Sequence, residues 1–63
     1  MSRAINLTLD KGVVVIRCLS ENVALSAIEA LPGGGARIVC MTNEGAALIR
    51  RKLKRYLVDD DTK

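Results

Sequence analysis

Residues 13–18 read Val13-Val14-Val15-Ile16-Arg17-Cys18, and the conformation given to this run decides the fold. A short, unbroken, β-branched apolar run suits a strand that is covered on both faces. Upstream, Ile5, Leu7 and Leu9 alternate with Asn6 and Thr8, the period-two pattern of a strand over 5–9. Asp10-Lys11-Gly12 lies between the two, and a three-residue loop ending in glycine suits a hairpin. The expected start is therefore a β-hairpin of strands 5–9 and 13–18. Val13, Val14, Val15 and Ile16 would be apolar on both sides of it, too many to shelter within so short a chain. These four residues are the expected interface with a second copy.

Downstream, Ser20 offers an N-cap, and Val23, Ala24, Ala27, Ile28 and Leu31 recur at helical spacing, so a helix is expected over 20–31. Pro32 and the glycines 33–35 would end it. Residues 36–41 read as a third strand. Thr42 or Asn43 then caps a helix over 43–57, with Ala46, Ile49, Leu53, Tyr56 and Leu57 on one stripe. Residues 59–63 read as a frayed acidic tail, because Asp59, Asp60 and Asp61 oppose the dipole at a helix carboxyl end. The expected fold is a small two-layer α+β domain, ββαβα. Its three-stranded mixed sheet combines the hairpin with a parallel crossover strand, and two helices pack on it, with strand order open. Sliding the chain by 22 positions lays Ile16, Cys18, Ala24 and Leu31 on Ile38, Cys40, Ala46 and Leu53. That is the pattern of a duplicated strand-helix unit, although a shared strand-turn-helix grammar produces much of it.

The chain has 63 residues, one domain's worth, and a core this small buries only about 60% of the surface of its unfolded chain. Self-association is the expected supplement to its stability. Apolar residues make up 49% and charged residues 27%, ordinary for a folded protein. Two cysteines allow one bridge at most, no apolar run approaches membrane length and no secretory signal stands at the start. The expected protein is soluble and cytoplasmic.

Arg50, Arg51, Lys54 and Arg55 span a basic arc on the last helix, opposite its apolar stripe. Such an arc neutralises phosphates of duplex nucleic acid or meets an acidic partner; it also suits a plain solvated helix face. The lone aromatic, Tyr56, falls on the apolar stripe, which disfavours single-strand stacking. Cys18 and Cys40 are expected near each other at strand ends, as small buried hydrophobes rather than as a redox pair or metal site. The segments 20–22 and 42–45 open helices where an anion would sit, but Glu21 and Glu44 already answer the dipoles. Residues 33–37 leave a helix and enter a strand, the reverse of a phosphate-cradling loop. With no histidine, and with Asp10, Glu21, Glu29 and Glu44 scattered, no catalytic constellation forms. The sequence predicts a non-enzymatic interaction or regulatory module without cofactor or metal. It is expected to be homodimeric and to act on a protein partner, with duplex nucleic-acid binding as the alternative and no membrane contact.

Overall fold

The computed structural model describes residues 3–58. The order of elements is β1 (Ala4–Leu7), α1 (Lys11–Ser20), β2 (Leu25–Ala30), β3 (Ala36–Cys40) and α2 (Asn43–Lys52), followed by a single 3₁₀ turn at Lys54–Tyr56. The fold is α+β, but its order is βαββα and its sheet is β1-β3-β2 with both pairings antiparallel. β1 and β2 therefore run the same way with β3 between them, and α1 carries the chain across. The expected parallel pairing of neighbouring strands is corrected to this split arrangement.

The segment 13–18 is helix rather than strand, and the hydrogen bonds at its two ends show why. The Asp10 carboxylate caps α1, accepting from the Gly12 N–H at 3.0 Å, while the Asp10 carbonyl accepts from the Val14 N–H at 2.9 Å. Asp10-Lys11-Gly12 is thus a helix start, not a hairpin turn. At the other end Asn22 takes the left-handed conformation with φ 58°. The Val23 N–H then reaches the Cys18 carbonyl at 2.9 Å and the Asn22 N–H reaches Leu19 at 3.1 Å, which closes the helix in a Schellman motif. Ser20 consequently ends a helix instead of starting one, its hydroxyl donating to the Arg17 carbonyl. The β-branched preference is overridden because Val14 and Cys18, four apart, both drop into the core.

The expected helix 20–31 is strand β2 for a related reason. Leu25 lies opposite Cys40 and Ala27 opposite Val39, which leaves Ser26 as an extra residue in a β-bulge. The bulge sets Leu25 and Ile28 three apart on one face, so β2 lacks the alternation that marks a strand. Pro32 and the glycines form the β2–β3 hairpin loop, in which the Gly34 N–H donates to the Leu31 carbonyl and Gly34 has φ 103°. The apparent duplication also dissolves, since residues 16–18 are helical where 38–40 are extended.

One sheet face carries Ile5, Leu7, Ala36, Ile38 and Cys40 into the core, where Val14 and Cys18 of α1, Ala46 and Ile49 of α2 and Leu53 meet them. Thr42 caps α2 through the Gly45 N–H at 2.9 Å. The α-helix stops at Lys52, short of the expected residue 57, because β1 needs an edge partner. The Thr8 N–H donates to the Tyr56 carbonyl at 2.8 Å and the Val58 N–H to the Asn6 carbonyl at 2.9 Å, with Leu57 bridged to Leu7. These bonds draw residues 56–58 out of helical conformation and cover one edge of the sheet. The acidic tail at 59–63 lies outside the described residues. No helix among the described residues is long and apolar enough to cross a membrane.

Candidate functional site

Two surfaces stand out, and both involve α1. At 100° per residue, Val14 and Cys18 face the sheet, and the opposite side of the helix presents Gly12, Val13, Ile16, Leu19 and Ser20. Val13 is 41% exposed, Ile16 66% and Leu19 70%. Of the four residues expected at a dimer interface, Val13 and Ile16 lie on this outer face, Val15 is half-buried at its side and Val14 is fully buried. Leu19 joins them unforeseen, because a strand reading of 13–18 stops one residue short of it.

The second surface is basic. Arg17 near the end of α1, Arg51 and Lys52 in the last turn of α2, and Lys54, Arg55 and Tyr56 of the 3₁₀ turn line an open concavity of about 730 Å³. It gathers five of the chain's ten basic residues, and among the described residues its lining contains no carboxylate. Arg51, Lys54 and Arg55, expected from the helical arc, are here. Arg50 is not: it is half-buried and its guanidinium donates to the Ala4 carbonyl at 3.1 Å, on the β1 side of α2. Helical periodicity alone cannot reveal that capture. Arg17 stands more than thirty positions upstream, and only the placement of α1 brings it in. The helix dipole accounts for Arg51 and Lys52 in the last turn of α2, but not for Lys54 and Arg55 beyond it.

Tyr56 is half-buried against the core as well as lining the concavity. Cys18 and Cys40 are free thiols, both within the core. Burial pushes each above the ordinary value of 9.0; for Cys18 the neighbouring Cys40 adds to the rise, and for Cys40 the Arg50 charge partly offsets it. The unfolded chain therefore releases these protons at lower pH than the folded one. Their contribution to stability is complete below pH 9.0 and is lost as pH climbs beyond it. Urea midpoints should be level from pH 7 to 8.5 and fall by pH 10, and the fall should be smaller in Cys18→Ala; an equal fall in both proteins would remove the thiols as its cause.

The third cluster weighed from the sequence contains one helix start, not two. Residues 20–22 form the end of α1, and at 42–45 the Thr42 hydroxyl already occupies the Gly45 N–H. Glu21 and Glu44 line the same recess. Among the described residues no group of three or more His, Cys, Asp or Glu is placed to hold a metal. Neither a family model nor a curated protein nor a solved structure matches this chain, so its two surfaces are read from their own residues.

Proposed function

We propose that the chain is a small non-enzymatic interaction module that works as a homodimer, paired through the outer face of α1. The carrying observation is the exposure of Val13, Ile16 and Leu19 side by side on one helix face. Water contact at such a face is unfavourable by about 25 cal/mol per Å² of apolar surface, and covering it recovers that free energy.

A second copy fits because the face complements itself. Ile16 is central, Gly12 and Leu19 occupy one flank, and Val13 and Ser20 the other. A two-fold axis at Ile16 with the helices antiparallel keeps like flanks together. Leu19 then meets Gly12 of the partner subunit and Val13 meets Ser20 of the partner subunit, large against small on both sides. Gly12 has room for this, since a Cβ there would meet only the Asp10 carboxylate, at 3.3 Å.

A ten-residue helix is about 15 Å long, so the pair buries less than the roughly 800 Å² per partner of a standard interface. The dimer is accordingly weak and reversible. The free edge of β2 is the competing route, and the Ser26 bulge and Glu29 discourage pairing there. Two free buried thiols suit the reducing cytoplasm, the compartment we assign.

Sedimentation equilibrium from about 10 µM to about 1 mM, where affinities of this strength report, tests the reading. The mass should rise from 6.8 kDa toward twice that value, and Ile16→Glu should hold it at 6.8 kDa with an unchanged helical spectrum. A wild-type monomer throughout, or a dimer indifferent to Ile16→Glu, defeats it.

A further inference from the structure

We infer that the basic concavity between α1 and the end of α2 binds the phosphodiester backbone of a nucleic-acid duplex, with Arg17, Arg51, Lys52, Lys54 and Arg55 as the phosphate contacts. The helix-arc idea had one helix supply every charge. In the folded chain the five cations come from α1, from α2 and from the 3₁₀ turn, around one opening of about 730 Å³ that has no acid among its described lining residues. Like charges gathered on three elements repel one another, and a row of phosphates removes that repulsion while releasing condensed counterions.

The ligand class follows from what else lines the opening. A single small anion engages two or three donors and leaves the other cations facing one another, whereas a duplex offers a negative charge about every 1.7 Å along its axis. Tyr56 is the chain's one aromatic, whereas stacking a run of unpaired bases calls for several. An acidic protein segment brings apolar side chains that want pockets, and Tyr56 is the one side chain of this lining without a charge. Backbone contact with a duplex uses the cations and asks for little else. Arg50 takes no part, because its guanidinium is held at the Ala4 carbonyl.

Fluorescence anisotropy with a mixed-sequence 20-base-pair DNA duplex, titrated between 50 and 200 mM NaCl, reads the site. With all five cations on phosphates, log affinity should fall against log salt with a slope of about −4.5, roughly a 500-fold loss over that range. Arg17→Gln, on the helix that the sequence arc omits, should lower the slope by about 1. Arg51→Gln with Arg55→Gln should lower it by about 2, while Arg50→Gln leaves it unchanged. All variants keep the fold as judged by circular dichroism, Arg50→Gln serving as the control with reduced thermal stability. The proposal is overturned if binding ignores salt, if the Arg17/Arg51/Lys54/Arg55→Gln protein binds equally tightly, or if poly-glutamate binds and the duplex does not. Single-stranded DNA of the same length binding more tightly than the duplex also overturns it. Ile16→Glu protein run in parallel separates this result from the dimer: the slope per chain should persist in the monomer.

Discussion

Ile38→Ala is expected to remove roughly half of the folding free energy. Ile38 sits on the central strand, opposite Ile5 on one side and Ile28 on the other, and is fully buried. Removing three carbons from such a position costs about 2–5 kcal/mol, because the lost transfer free energy is joined by a cavity that the surroundings only partly fill. A 63-residue domain has roughly 3–9 kcal/mol in total, so the loss is of the same order as the whole. Ile38→Val removes one carbon and should cost about 0.5–1.5 kcal/mol. Urea denaturation of the two variants checks this: a midpoint for Ile38→Ala within error of wild type would mean that Ile38 is not enclosed in the core as described.

The next largest effect is expected from one added methyl group in the hairpin loop. A Cβ at Gly35 would run into the Leu7 carbonyl oxygen, a backbone atom that cannot move without disturbing β1. Gly35→Ala should therefore lose about 1–3 kcal/mol, the usual range for forced overpacking. Gly33, two residues earlier, has nothing within 4 Å of such a Cβ. Gly33→Ala should stay within about 0.5 kcal/mol of wild type, as isolated surface changes do. The pair shares composition and loop, so only the close approach of β1 distinguishes them. Equal thermal midpoints for the two variants would show that residue 35 does not abut Leu7.

The same comparison between local pattern and tertiary demand explains which parts of the fold the sequence discloses. β3 and the start of α2 are legible because local signals agree: Ala36, Ile38 and Cys40 alternate inward, and Thr42 is the cap whose hydroxyl accepts from the Gly45 N–H. The middle of the chain misleads because its signals conflict. Valine preference pulls residues 13–16 toward strand, while the Asp10 cap and the Asn22 left-handed turn define a helix between them. In β2 the Ser26 bulge turns an alternating face into a spacing of three. No rule of composition anticipates the end of α2, which is decided by hydrogen bonds that β1 requires from residues 56 and 58.

For the surfaces, the sequence reveals which residue types are abundant but not which way they face. Val14 and Ile16 stand two apart in the same β-branched run; the helix buries one completely and leaves the other 66% exposed. Arg50 and Arg51 are likewise neighbours, divided by the Ala4 carbonyl on one side and the concavity on the other. The first distinction follows once α1 is helical and vanishes if residues 13–18 are extended, where positions 14 and 16 would share a face; the second belongs to α2 and β1.

Oxidative cross-linking of Ile16→Cys protein tests that central point most directly, because the two native thiols are buried. On an antiparallel helix pair with residue 16 at the two-fold axis, mild oxidation at about 0.5 mM should convert the protein to a disulfide dimer of twice the mass. Val13→Cys alone should cross-link poorly, since the proposed pairing sets Val13 against Ser20 of the partner subunit. Equal cross-linking at 13 and 16, or none at 16, would contradict the pairing and the helix that creates it.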